Sequence, residues 1–193
     1  IGPIPAHWQV VRLGEVADIF SGGTPDRSNP QFWNGDIPWL KSGELNDSRN
    51  PVPTEYISEL GLQNSSAKFI EPNTLLIAMY GATAGKVAVA SRKMVINQAI
   101  CAILPKTNNF HPGFYFYAFQ YLRDLILSRR FGGAQPNINQ QIIRTLQVPL
   151  PPLPEQRAIA EMLCTVDEKI QAEERRKAAL QSLFRSMLHH LMT

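Results

Sequence analysis

Apolar and polar positions along this chain follow two different rhythms, and the change comes near residue 150. Before it, apolar residues gather in short runs rich in β-branched types and bounded by turn formers, the pattern of strands. Four such runs, at 37–41, 74–79, 86–90 and 99–104, predict β-strands. A longer stretch, 112–130, repeats at helical spacing: Phe114, Tyr117, Ala118, Tyr121, Leu122, Leu125 and Ile126 fall on one stripe. Pro112 suits the first turn of that helix, Arg129 and Arg130 its negative end, and Gly132-Gly133 its stop. A shorter helix is expected after Asn139 as N-cap, carrying Ile142, Ile143 and Leu146. The expected class is α+β, a mixed, β-rich domain.

The segment Pro149-Leu150-Pro151-Pro152-Leu153-Pro154 has four prolines in six residues, a composition that excludes a helix interior or a central strand and predicts a stiff, extended break. It divides the chain into a domain at 1–150 and a helical region at 151–193. Beyond Pro154 neither Gly nor Pro occurs again. There the apolar positions advance in alternating steps of four and three: Ile159, Leu163, Val166, Ile170, Glu173, Lys177, Leu180, Phe184, Met187 and Leu191. This is a coiled-coil seam on one helix, expected at 155–191, with a polar interruption at its centre. Such a helix is about 55 Å long, too long to bury its stripe against a domain whose radius of gyration is about 15 Å. It calls for a partner helix, gripped by Ile159, Leu163, Val166, Ile170, Leu180, Phe184, Met187 and Leu191, from a second copy or from another segment of a longer chain. A helix folded back along its own domain is the alternative.

Composition narrows the function. Of 193 residues 44% are hydrophobic and 18% charged, ordinary for a folded water-soluble protein, and no apolar run reaches the roughly 20 residues that span a bilayer. The opening Ile1-Gly2-Pro3-Ile4-Pro5 lacks the basic and apolar segments of a secretory signal, and the missing initiator Met points to a segment of a longer product. Cys101 and Cys164 lack metal-ligand spacing and read as two buried free thiols in a reducing cytoplasm. The net charge is +3. It sits entirely before Leu153, since the last 41 residues hold six basic and six acidic side chains. A polyanionic partner is compatible with this.

Several motifs imitate catalytic ones. Gly81-Ala82-Thr83-Ala84-Gly85-Lys86 has three residues between its glycines where a phosphate loop has four, and Val87 where that loop has Ser or Thr, so it reads as a turn between two strands. Asn29-Pro30-Gln31-Phe32 resembles the Asn-Pro-Pro-Phe loop of amino-group DNA methyltransferases, but no Gly-rich cofactor loop accompanies it, and a turn is expected. Asp167-Glu168-Lys169 matches the acidic-x-Lys piece of many nucleases, yet it sits on the seam helix as surface charge. His7, His111, His189 and His190 lack ligand spacing. The polar loop from Gly132 to Asn139 offers Gln and Asn side chains suited to adenine in a major groove, or simply a turn and a cap.

Taken in order, the segments resemble one family nearly end to end. Ile4-Pro5-Ala6-His7-Trp8 with Arg12-Leu13-Gly14-Glu15-Val16, Ser21-Gly22-Gly23-Thr24-Pro25, Ile37-Pro38-Trp39-Leu40-Lys41-Ser42-Gly43-Glu44-Leu45, residues 74–86, Ile96-Asn97-Gln98-Ala99, residues 132–139, Val148-Pro149 through Glu155-Gln156, and the last six residues are similar to the DNA-specificity subunit of type I restriction–modification systems. One target-recognition domain and one helical region are covered, half of a full subunit. The resemblance implies a non-enzymatic, cytoplasmic, sequence-specific DNA reader of one half of a bipartite site. It further implies association with a methyltransferase subunit carrying S-adenosylmethionine and an ATP-using restriction subunit, no cofactor of its own, and no membrane. Two such units in tandem make the family's full subunit. This chain has one, which implies homodimerisation through the C-terminal helix. It also lacks the Gly and short tail that usually follow.

Members with different targets share the motif segments, so base readers are expected between them. Arg27, Lys41, Arg49, Asn50, Lys86, Arg92 and Lys93 are the DNA-binding candidates, with no division yet between bases and phosphates. An assembly or decoy subunit that binds the methyltransferase without DNA, and a catalytic methyltransferase fragment, stay open as alternatives.

Overall fold

The computed structural model describes residues 2–128 and 137–192. The order of elements is β1 (Gln9–Arg12), α1 (Leu13–Val16), β2 (Ala17–Ser21), β3 (Trp33–Leu40), β4 (Glu55–Ile57), α2 (Glu59–Gln63), β5 (Phe69–Ile70), β6 (Leu75–Ala78), β7 (Val87–Val89), β8 (Met94–Ile96), β9 (Ile100–Pro105), α3 (Pro112–Tyr121), α4 (Arg123–Ser128), α5 (Gln140–Thr145), β10 (Gln147–Leu150) and α6 (Leu153–Met192). A mixed α+β head is followed by one long helix, as the patterning predicts.

The head is layered. An antiparallel sheet in the order β2-β9-β6-β7 lies at its centre. Strands β6, β7 and β9 are apolar on both faces, because both are covered. One face, with Leu75, Ile77, Cys101 and Ile103, packs beneath α1, α3, α4 and α5. The other, with Leu76, Ala78, Ala88 and Ala102, meets Leu40, Ile70, Met94 and Ile96 of a second sheet, ordered β4-β3-β8-β5. A smaller core of Ile37, Trp39, Ile57, Ala67 and Val95 covers that sheet's outer face.

All four predicted strands are present. The turn at 81–86 joins β6 to β7, and its Gly81 and Gly85 take positive φ, which suits a residue without Cβ. Asn139 caps α5, its side chain accepting from the Ile142 N–H at 2.8 Å. Asn29 likewise caps a short 3-10 turn, its side chain accepting from the Gln31 N–H.

The structure corrects three expectations. The single helix at 112–130 is two, α3 and α4, broken at Leu122. Its buried face is Phe114, Tyr115, Phe116, Phe119, Leu122 and Ile126, whereas Tyr121, placed on the stripe, is 82% exposed. The basic end and glycine stop expected of that helix fall at 129–133, outside the described residues, as does most of the 132–139 loop. The proline-rich segment is not a free break. Val148 and Pro149 belong to β10, which pairs antiparallel with β1, Gln9 opposite Leu150. Pro is tolerated because this two-stranded sheet has an open edge, while Pro154 sits in the first turn of α6, where its missing N–H costs nothing. Third, Cys164 is only partly buried on α6; Cys101 is fully buried, and burial pushes its thiol up to about 12.

The root of α6 is fixed to the head. Gln156 is wholly buried. Its Nε2 donates to the carbonyls of Pro151 at 2.8 Å and Asn109 at 3.0 Å, and its Oε1 accepts from the His111 N–H at 2.9 Å. Beside it, the Glu155 carboxylate accepts from Trp8 Nε1 and His7 Nε2, both at 2.9 Å. Ile159 and Ala160 still pack on α3. From Glu161 onward the helix draws away from the head, Leu163 and Cys164 still lying near Tyr117 and Arg49, and beyond Asp167 its side chains are solvent-exposed.

Candidate nucleic-acid interface

The outer edge of the second sheet gathers aromatic and charged groups that are distant in sequence. A bulge in β3 between Trp33 and Ile37 sets both residues opposite Ile57 of β4. Asn34, at φ 60°, takes the turn, and a Cβ on Gly35 would come within 2.5 Å of Ser58 Cα. Trp33 and Trp39 thereby meet edge-on at 5.1 Å between ring centroids. Their indole N–H groups donate to the carbonyls of Asp26 and Gly23, which pins the 22–29 loop over the sheet.

Arg27, on that loop, lies over Trp33 at 3.8 Å and Trp39 at 4.8 Å and reaches Glu55 at 2.5 Å. Lys41, beyond the end of β3, reaches the other Glu55 oxygen at 2.6 Å and Glu44 at 3.6 Å. Arg27 first and Lys41 second hold the Glu55 carboxyl below its ordinary range, and the Glu55 hydrogen bond raises Lys41. A cleft of about 440 Å³ opens here between Arg27, Trp33, Asn34, Thr54, Glu55 and Tyr56. It combines aromatic faces and a guanidinium, groups that engage nucleic-acid bases and phosphates, with the Glu55 carboxylate that occupies the guanidinium.

The seven candidates do not form one cluster. Arg27 and Lys41 share Glu55. Lys86 pairs with Asp47 at 3.0 Å, and Arg123 of α4 binds the same carboxylate. Lys93 lies 4.6 Å over the Phe69 ring and 3.7 Å from Glu71, with exposed Arg92 beside it. Arg49 and Asn50 are exposed on the loop after Asp47. The Arg49 guanidinium acts on His111, Tyr117 and Cys164, on the α3 and α6 side. The Tyr117 hydroxyl is buried near that guanidinium, without a well-aligned hydrogen bond among the described residues.

Sequence reasoning missed Trp33, Trp39, Glu55 and Tyr56. Only the pairing of β3 with β4 brings them to Arg27. The two tryptophans six residues apart were the available signal, and the bulge between them conceals their shared location.

Of the helix-pairing candidates, Ile159 packs partly against the head. Leu163, Val166, Ile170, Leu180, Phe184, Met187 and Leu191 are all exposed, and Met162, Leu183, Leu188 and Met192 widen the stripe. At its root the stripe runs into an apolar cavity of about 560 Å³ between Pro3, Trp8, Phe114, Tyr117, Ile159 and Leu163. Asp167, Glu168 and Lys169 lie on α6 in or near solvent, and no cluster of three metal-ligating side chains occurs among the described residues. No helix among them is long and apolar enough to cross a membrane.

Residues 5–182 match the family described as the type I restriction modification DNA specificity domain. The chain is 26% identical over 192 residues to the type I restriction enzyme MjaIX specificity subunit of Methanocaldococcus jannaschii, covering 95% of this chain and 43% of that protein. It is 27% identical over 157 residues to the HindI specificity subunit of Haemophilus influenzae, covering 77% and 33%. A solved chain described in terms of complex assembly and conformational transition of the type I R-M system superposes with a TM-score of 0.74 at 25% identity, covering 96% of this chain and 45% of that one. The HsdS subunit from Thermoanaerobacter tengcongensis gives 0.67 at 26% identity, covering 90% and 40%. The chain therefore spans less than half the length of these relatives.

Proposed function

The chain belongs to the family of type I restriction modification DNA specificity domains, and from that premise we propose that it is a half-subunit reading one half of a bipartite DNA site. The head, 1–150, reads; the helical region, 151–193, pairs with a second helix and fixes the distance between two heads. Bond-making belongs to partner polypeptides: a methyltransferase subunit that holds S-adenosylmethionine and a restriction subunit that uses ATP. The chain itself performs no reaction and works in the cytoplasm.

The observation that carries this reading is the family match across residues 5–182 in a molecule whose head and protruding helix are separately recognisable. Arg27, Lys41, Arg49, Asn50, Lys86, Arg92 and Lys93 supply its DNA contacts. Arg49 and Arg92, which form no ion pair with a carboxylate among the described residues, engage phosphates directly; Arg27 and Lys41 do so by exchanging Glu55 for the polyanion.

Selection from a random duplex library, with and without the methyltransferase subunit, tests this reading. It predicts enrichment of one short motif, and binding whose logarithm falls linearly with the logarithm of salt concentration. Binding of the methyltransferase subunit with no enrichment under either condition would establish an assembly role instead.

A further inference from the structure

Glu55 stands apart from the other carboxylates that bridge basic side chains on the head. Glu44 accepts from the backbone N–H groups of Lys41 at 2.9 Å and Thr54 at 3.1 Å, and Asp47 accepts from the Val87 N–H at 3.1 Å. Both fasten the backbone as well as a cation. Glu55 has no backbone donor among the described residues. One of its oxygens accepts from Arg27 at 2.5 Å and the other from Lys41 at 2.6 Å, and its side chain is 31% exposed.

Nor does Glu55 hold those two cations in place. The Arg27 guanidinium lies over Trp33 and Trp39, and both indoles are fixed by their own N–H bonds to the carbonyls of Asp26 and Gly23. Lys41 keeps Glu44, at 3.6 Å from its ammonium. With the Glu55 carboxylate turned away, both cations stay, aimed at the space it leaves. That space suits an anion offering one oxygen to each cation. A phosphodiester carries two such oxygens on one phosphorus.

We propose that Arg27 and Lys41 form a seat for one backbone phosphate of duplex DNA, and that Glu55 is its resident competitor, setting how tightly the head holds any duplex. This rests on the reading above that the head binds DNA, and it names one phosphate subsite and the group that regulates it. Two cations and two carboxylates, Glu44 and Glu55, leave the seat without net charge. A phosphate therefore enters by taking the place of Glu55, and the adjoining cleft of about 440 Å³ gives the displaced carboxylate room. Because a phosphate carries no base identity, this competition costs target and non-target DNA the same. Glu55 sets affinity, and the ranking of sequences is left to other side chains. Asp47 bridges Lys86 and Arg123 in the same manner, but it cannot leave without releasing the Val87 N–H, so no second seat follows there.

Duplex binding by the full chain tests this, with a random-sequence duplex and the duplex enriched by selection as probes. Glu55→Gln keeps the size of the side chain and removes its charge. It should tighten both probes by the same factor, roughly three- to tenfold, and leave the enriched motif unchanged. Glu59→Gln makes the same change of charge on α2, where Glu59 is exposed and in no ion pair among the described residues. It should alter binding less than about twofold in salt that screens charges beyond about 8 Å. Arg27→Gln and Lys41→Gln should each weaken both probes and make the fall of log K with log salt shallower by about 0.9. Added to that pair of changes, Glu55→Gln should bring no tightening.

Equal affinity for parent and Glu55→Gln, or a gain no larger than that of Glu59→Gln, would overturn the competitor. A gain confined to the enriched duplex would make Glu55 a base reader and overturn it as well. Should the Glu55→Gln chain not fold, the two cation variants decide, and salt slopes equal to the parent's would overturn the seat. A parent chain that binds neither probe at low salt, with or without the methyltransferase subunit, would overturn the reading of the head as a DNA binder, and the seat with it.

Discussion

Leu75, Leu76 and Ile77 in the central sheet of the head are wholly buried, while Leu180, Phe184 and Leu191 on α6 are 56%, 65% and 75% exposed. The residue types are alike; the surroundings differ. A strand inside the head has a layer on each side, so every apolar side chain finds neighbours within the same chain. A helix that draws away from its domain finds few, and beyond Asp167 its side chains are exposed. The head accordingly carries its own stability, and the helix draws much of its stability from whatever covers the stripe, a contribution that varies with concentration.

Perturbations should separate the two regions, and the largest effect belongs to the head's core. Phe116→Ala, beneath the central sheet, should destabilise the head by about 3–5 kcal/mol, measured by urea unfolding, with no dependence on protein concentration. Gln156→Leu comes next. It leaves the His111 N–H and the Pro151 and Asn109 carbonyls without their partner, at a cost of about 1–3 kcal/mol. It should also loosen the helix root, seen as faster amide exchange at 153–160.

A milder change is expected from acid. His111 caps α3 by accepting from the Phe114 N–H through Nδ1, which requires the neutral ring. Burial first, then Arg157 and Arg49, lowers its pKa. A histidine with a depressed folded pKa contributes stability that is present above its ordinary value near 6.5 and is lost as pH falls through the lowered one. The head's melting temperature should therefore decline on acidification below that value, and His111→Asn, which keeps a capping oxygen, should flatten the decline.

The smallest effect on the head is expected from Val166→Asp. It should leave the head's unfolding within about 0.5 kcal/mol of the parent while abolishing the concentration dependence of helicity at 222 nm. A head that melted early with this change would show that the two regions are not independent.

The sequence announced the helix by its period, and β3, β6, β7 and β9 because each lies in an apolar or β-branched run bounded by turn formers. It concealed β2, where Asp18 and Ser21 interrupt the run, and β4, β5 and β8, whose two or three residues lie in no such run. It also concealed β10, where Pro149 argued against a strand until β1 was there to pair with it. The face of α3 was misjudged for a related reason. Phe114 to Phe119 is apolar nearly all round, so the pattern carried no contrast, and only the sheet beneath selects Tyr115 and Phe116. Candidate cations were legible as residue types, but their carboxylate partners were not, because Glu55 and Asp47 arrive through tertiary pairing.

The clasp between β1 and β10 also governs how the molecule is made. Gln9 waits for Leu150, so the head's first strand pairs only after all the others of the head have been made. Until Leu150 has emerged, β1 presents an unpaired edge, and a nascent chain halted before β10 would expose it to neighbouring chains. Translation through the next few codons delivers Gln156 as well. Closing the head and anchoring the helix are thus one event that follows synthesis of the rest of the head, and a truncation at residue 146 should yield aggregated protein rather than a smaller folded head.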